Sequence, residues 1–281
     1  MSNLIKEIRL SVGLNQEEFA KELGTTVLSI NRWENDKTIP NKMAQYQIYN
    51  FYKKHNLDLA NLIIESNDRK SNSNEVILYH GSKDGIIGNI LPISRDKCDF
   101  GRGFYLGTDK IQPLTLICNE DNPFFYKIKL DKSDLKILNI DVTLDWAMLI
   151  AYFRGYIDNI KDSPIYNKYS TLTNGYDVIV GPIADDRMYR VITSFFTREI
   201  TDIQLMNSLS ALKLGFQYVC KTNKACEKLQ ILETKNLNNL ELNILKDKSS
   251  ERRDEAIRLT EEVLVKYRRK GKYFDEIIKR K

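Results

Sequence analysis

The residues best equipped for chemistry lie in two short stretches. Residues 76–82 read VILYHGS, and residues 99–106 read DFGRGFYL. The chain has only two histidines, His55 and His80, and His80 closes an apolar, strand-like run against a glycine. A histidine there can donate or accept a hydrogen bond toward a bound hydroxyl, because its ordinary pKa lies near neutrality. Gly81 lets a ligand approach the backbone, and Ser82 adds a hydroxyl. In the second stretch Tyr105 offers a flat aromatic face, and Gly101 and Gly103 allow a strand to crowd a ligand. Arg102 carries a positive charge that could meet an anionic group. Taken singly, His80 reads as a satisfied core histidine, Tyr105 as a core aromatic and Arg102 as a solvated charge. Taken together they are the residue types that a ligand site would use.

The elements that must position them follow from pattern. Short β-rich runs begin at residue 76: VILYH, FFYKIKL, LKILNI, YDVIVG and FQYVCKT. Apolar helical segments such as TLDWAMLIAYFRGYI fall between them, which predicts an α+β domain over residues 75–232. The polar stretch SNDRKSNSNE precedes it, so residues 66–74 read as a linker. Residues 1–65 read as helical. From about 237 the chain turns helical again, with Ala256, Leu259, Val263 and Tyr267 at helical spacing. Residues 233–281 are thus expected to be a helical extension. It is basic: residues 246–281 hold 13 Lys/Arg against 8 Asp/Glu, whereas residues 1–65 are neutral with 8 of each. A basic tail attracts nucleic acid or an acidic partner, although a solvated helix face explains any single charge run. No internal repeat is visible.

The remaining composition narrows the class. The four cysteines, Cys98, Cys118, Cys220 and Cys226, form no CxxC pair and no Cys/His metal spacing, so no metal is expected. They read as reduced thiols used in packing. There is no signal-peptide pattern and no apolar run near the ~18 residues of a membrane span, so the expectation is a cytoplasmic protein with no membrane contact.

The stretch LNQEEFAKELGTTVLSINRWENDKTIP, residues 14–40, resembles the helix-turn-helix of phage-repressor-like (XRE/Cro-type) regulators. Asn15 caps a helix beginning at Gln16, and Phe19, Ala20 and Leu23 form its buried face. Gly24 makes the turn, Thr25 or Thr26 caps the next helix, and Ile30 and Trp33 point inward. Asp36 stands where that family usually has glycine, in a turn that Asp tolerates. The resemblance implies DNA binding in the major groove through Gln16, Val27, Leu28, Asn31 and Arg32. Asn31 and Arg32 have the groups for bidentate base contacts, and Val27 or Leu28 for a thymine methyl. The lack of net positive charge keeps open a unit used for dimerisation or protein contact.

The trio Tyr79-His80-Gly81-Ser82, Gly101-Arg102-Gly103-Phe104-Tyr105-Leu106 and Phe216-Gln217-Tyr218-Val219 resembles the core of ADP-ribosyltransferases of the diphtheria-toxin and poly-ADP-ribose-polymerase type. That resemblance implies a split β-sheet domain over residues 75–232 that takes NAD as substrate. It gives catalytic roles to His80, Tyr105 and Gln217 and NAD contacts to His80, Gly81, Ser82, Arg102, Gly103 and Tyr105. It implies single ADP-ribose transfer to a macromolecule with release of nicotinamide. Gln217 stands where the family carries glutamate. Glutamine keeps the hydrogen-bonding reach but loses the charge, and losing one such stabilising interaction costs ~10²–10³ in rate. Slow catalysis, help from another carboxylate, or NAD binding alone all remain open. Asp185 and Asp186 are candidate helpers, able to activate an acceptor or orient Arg187, and read equally as helix caps. A second stacking aromatic is absent from KIQPLTLIC, which offers only Leu114, Leu116 and Ile117; Tyr126 or Phe153 would have to serve. The expected partners are NAD, DNA, an unidentified acceptor, a cognate antitoxin and a second copy of the chain, in a toxin or phage-defence setting. The rivals are an NAD glycohydrolase and a non-catalytic regulator that senses NAD or ADP-ribose.

Overall fold

The computed structural model describes residues 1–64, 74–95, 97–184, 186–212 and 215–278. The expected linker therefore lies almost wholly outside the described residues, as does Asp185. The side chains of Asp186, Arg187 and Tyr189 are likewise not described. Among the described residues the chain forms twelve α-helices and one seven-stranded sheet. No helix there is long and apolar enough to cross a membrane.

The N-terminal unit contains α1 (Ser2–Leu10), α2 (Gln16–Glu22), α3 (Val27–Glu34) and α4 (Lys42–Lys54). Its boundaries follow local chemistry. The Asn15 side chain accepts from the Glu17 and Glu18 amides, and Glu18 returns the bond in a capping box. Thr26, rather than Thr25, caps α3 by accepting from the Ser29 amide. Asp36 adopts φ 53°, the left-handed turn the sequence required. Leu4, Ile5, Ile8, Phe19, Ala20, Leu23, Ile30 and Ile48 are buried between the helices. Burying one side chain of the larger kind contributes about 1.5–3 kcal/mol.

The β-rich unit is a single sheet in the order β4-β5-β6-β2-β1-β3-β7. Its strands are β1 (Glu75–Ser82), β2 (Phe104–Gly107), β3 (Phe124–Asp131), β4 (Ile137–Asn139), β5 (Val178–Pro182), β6 (Phe216–Cys220) and β7 (Leu229–Asn236). Only β4 and β5 run parallel; the other neighbours are antiparallel. Seven helices flank it before the last: α5 (Ile111–Ile117), α6 (Leu144–Arg154), α7 (Pro164–Thr171), α8 (Asp186–Phe196), α9 (Asp202–Ala211), α10 (Asn223–Glu227) and α11 (Asn239–Lys266). The short α12 (Phe274–Ile278) closes the chain, with Phe274 against Phe195 and Phe196. The sheet is weakly joined in the middle. β1 meets β3 at eight successive positions, but its ladder with β2 holds the single pair Tyr79–Gly107.

Two expectations about organisation change. The strand β7 runs to Asn236, so residue 232 falls inside a strand that belongs to the sheet. The last long helix starts at Asn239, with its own capping box, close to the position near 237 where the sequence turns helical. Its first turns are not a free extension. Leu240, Leu242, Ile244 and Leu245 enter one core with α1–α4, Tyr79, Phe125 and α5. Polar bonds reinforce the junction. The Gln45 Oε1 accepts from the Leu240 amide (3.2 Å), Tyr49 Oη donates to Asp247 (2.8 Å), and Lys110 Nζ donates to the carbonyls of Asn61 and Ile64 (3.0 and 2.9 Å). The helix-turn-helix is therefore fixed to the sheet rather than hung from it.

Candidate functional site

Pleat decides which of the predicted residues meet. Residues paired across neighbouring strands share a face of the sheet, and successive residues alternate. Tyr105 pairs with Val219 and Gly107 with Gln217, so Tyr105 and Gln217 stand on one face. Gly81 joins them. His80 stands on the other face, its ring 4.5 Å from that of Phe104 and 6.3 Å from that of Tyr126. The three expected catalytic side chains are thus not converged on one side. What joins them is the gap between β1 and β2, where His80 Nδ1 lies 2.7 Å from the Tyr105 carbonyl oxygen.

That contact fixes the state of His80. A carbonyl only accepts, so Nδ1 must carry the hydrogen, and the neutral ring leaves Nε2 as an acceptor. Burial pushes the His80 pKa below its ordinary value, the bond to Tyr105 opposing it only in part. The residue therefore offers one lone pair, suited to a hydroxyl donor such as a ribose.

Gly81 is a glycine for a different reason from the one sequence suggested. A Cβ there would lie 2.7 Å from the Pro113 carbonyl oxygen and 2.8 Å from Ile117 Cγ2. The close approach is made by α5, whose Leu114 and Ile117 are buried while Leu116 points outward, 55% exposed. Neither Leu114 nor Ile117 substitutes for a stacking aromatic. Tyr126 is buried on the His80 face and its Oη accepts from the Ile86 amide (2.8 Å), while Phe153 is on α6 beside Gly101. Ser82, at the end of β1, lies on the His80 face.

The stretch from Asp99 to Tyr105 is a built loop. Gly101 has φ +70°, and a Cβ there would lie 2.7 Å from the Phe153 ring. Gly103 abuts β6, where a Cβ would lie 2.5 Å from Val219 Cγ1. Tyr105 Oη accepts from the Phe100 amide (3.0 Å) and donates to the Gly101 carbonyl (2.6 Å). Its phenol is raised far above the ordinary value by burial. The Tyr105 hydroxyl is committed to this loop, and its partly buried ring packs against the core around α6. Lys221 Nζ donates to the Phe100 carbonyl (2.5 Å), and burial lowers that amine to about 8. Arg102 is exposed in the same loop.

The loop delivers Asp99, a residue that sequence reasoning missed. Gln217 stands between two glycines, Gly107 on β2 and Gly181 on β5. Their missing side chains make room. The Phe100 ring lies where a Cβ on Gly181 would be, 2.7 Å from it, and Asp99 reaches Gln217. Gln217 Nε2 donates to Asp99 Oδ2 (2.9 Å) and to the Pro182 carbonyl (3.1 Å). Asp99 Oδ2 also accepts from the Ala184 amide (3.3 Å), and Oδ1 from Arg154 Nε (3.1 Å) and Nη2. Asp99 and Gln217 are buried. The only sequence signal for Asp99 was its place directly before the Phe-Gly pair. A separate groove of about 440 Å³ opens between α8 and α11, lined by Val191, Ile200, Arg253, Ala256 and Leu264. None of the predicted site residues borders it.

In the helix-turn-helix, Val27 (42% exposed), Leu28 (59%) and Arg32 face solvent and Asn31 is half-exposed, as a groove-reading surface requires. Gln16 differs. Its Nε2 donates to Glu34 Oε2 (2.8 Å) and its Oε1 accepts from Asn31 (3.4 Å). Gln16 thus first serves the unit's own framework. That framework centres on a buried ion pair, Arg9–Glu34, closed by two bonds of 2.7 and 2.9 Å.

Comparison with known families assigns the class first. Residues 5–43 match the family described as helix-turn-helix, so the N-terminal unit is a repressor-like DNA-binding domain. Residues 76–231, more than half of the chain, match the family described as "Protein of unknown function (DUF3990)", and the chain belongs to that family. No curated protein and no solved structure matches.

Proposed function

We propose that the chain is an NAD-dependent mono-ADP-ribosyltransferase joined to a repressor-like DNA-binding domain. The observation that carries this reading is the gap between β1 and β2. There a neutral His80, held by the Tyr105 carbonyl, presents Nε2 as an acceptor beside a strand that ends in Gly81 and Ser82. This suits a ribose hydroxyl. Gln217, two strands away, supplies a second polar group on the opposite face of the sheet. The nicotinamide-bearing carbon would be attacked by a nucleophile of a macromolecular acceptor, with nicotinamide as leaving group. The N-terminal domain would place the enzyme on DNA, in a toxin or phage-defence setting with a cognate antitoxin.

The test is release of nicotinamide from NAD by the purified protein, with and without cell lysate. Release that needs lysate supports transfer, and release without lysate supports hydrolysis to ADP-ribose. Saturable NAD binding without release favours a sensing regulator, the reading that an amide in place of a carboxylate at position 217 supports.

A further inference from the structure

We infer that Asp99 is a positioning residue that fixes the Gln217 side chain in one orientation, so that Oε1 alone is presented to a ligand. A glutamine amide is ambiguous: it can turn either its oxygen or its nitrogen outward. Here both neighbours on the inner side accept only. The carboxylate of Asp99 and the Pro182 carbonyl lie 2.9 and 3.1 Å from one amide atom, which must therefore be the nitrogen. Both hydrogens of Nε2 are used. Oε1 accepts no hydrogen bond among the described residues, and it is not among the buried, unpaired side-chain atoms. Gln217 thereby offers what a carboxylate would offer a hydroxyl, a single fixed acceptor, while the negative charge stands one residue behind it on Asp99.

Asp99 is held in its turn. Arg154 of α6 grips Oδ1 through Nε and Nη2, and Arg154 Nη2 also donates to the Ala184 carbonyl (3.2 Å). The Tyr105 hydroxyl fixes the loop that carries Asp99 at Phe100 and Gly101. Among the described residues the charged and titratable groups around Gln217 and Asp99 are Arg154, the Tyr105 phenol and the Lys221 amine. Arg154 is committed to Asp99 and Lys221 to the Phe100 carbonyl, and neither cation hydrogen-bonds the Gln217 side chain.

This reverses a simple expectation. If Gln217 merely lacked a charge, Gln217→Glu would improve the site. The geometry predicts damage instead. The new carboxylate would face Asp99 and the Pro182 carbonyl at hydrogen-bond distance with no hydrogen between them. Two buried carboxylates this close cannot both ionise.

The test uses the full-length chain and three variants, Gln217→Glu, Asp99→Asn and the double exchange, followed by thermal unfolding at pH 7.5 and pH 5. Gln217→Glu is expected to unfold at lower temperature at pH 7.5 and to recover much of the loss at pH 5, where one proton can be shared across the pair. The double exchange restores a donor opposite the carboxylate and is expected to be more stable at pH 7.5 than Gln217→Glu. An unfolding temperature for Gln217→Glu equal to wild type at both pH values would overturn the assignment. So would losses that simply add in the double variant. The consequence for a ligand rests on the NAD reading and is measured separately, as nicotinamide release. If wild type releases none, that reading fails while the unfolding data still decide the role of Asp99. If wild type is active, Gln217→Glu is expected to be less active and the double exchange to regain part of the loss.

Discussion

Replacing Arg9 with methionine tests the framework of the DNA-binding unit. The Arg9 side chain is 9% exposed and that of Glu34 3%. The guanidinium donates to both Glu34 oxygens and to the Leu14 carbonyl (2.8 Å). Burial alone would raise the Glu34 carboxyl, but its bonds to Arg9 and Gln16 outweigh that and hold it below the ordinary value. Methionine fills similar volume but leaves a buried carboxylate with Gln16 as its remaining donor. Breaking one partner of a buried pair costs about 3–5 kcal/mol. The carboxyl has one escape, which is to take up a proton. Its ordinary value is 4.5, so holding it protonated at pH 7 costs about 3 kcal/mol, and at pH 5 less than about 1. The penalty should therefore be about 3 kcal/mol at pH 7 and shrink toward pH 5. Hydrogen exchange of the amides in α1–α3 reads it directly: 3 kcal/mol is about a hundredfold loss of protection. Unchanged protection at pH 7, or an equal loss at both pH values, would refute the reasoning.

Three further outcomes follow from the same geometry. Gly81→Ala drives a methyl into the Pro113 carbonyl and Ile117, which costs about 1–3 kcal/mol of overpacking; the unfolding midpoint should fall, and an unchanged midpoint would mean that α5 does not lie where described. Because the folded-state pKa of His80 is lowered, its stabilising contribution is complete above the unfolded value of 6.5 and is lost as pH falls below it toward the folded value; His80→Gln should flatten that part of the stability profile, and identical profiles would count against a buried neutral ring. Asn31→Ala and Arg32→Ala should each weaken binding to a selected DNA site by about 1–3 kcal/mol, measured by fluorescence anisotropy, and Arg32→Ala, at an exposed position, should do so without changing thermal stability; undiminished binding would move the interface off α3.

The helix-turn-helix was legible because its signals are local. Asn15, Thr26 and Asp36 each act within a few residues of themselves, and apolar spacing did the rest. Most strands were legible for the same reason, although LKILNI contracts to Ile137–Asn139 and the edge strand Leu229–Asn236, exposed along most of its length, was not foreseen. What sequence did not show depends on distant partners. The bond from Gln217 to Asp99 spans 118 residues, and that from Arg154 to Asp99 spans 55. The separation of His80 from Tyr105 follows from one register pair, Tyr79 with Gly107, and a shift of one residue would have put them on the same face. The start of α11 at Asn239 lies within two residues of the expected turn to helix at about 237; its docking was hidden, because its first turns are buried on several sides and so show no amphipathic stripe.

The most direct measurement is calorimetric titration of NAD into the purified chain and into His80→Ala. The account predicts saturable binding to wild type and loss of that binding in the variant. No binding to wild type, or equal binding to both proteins, would contradict it.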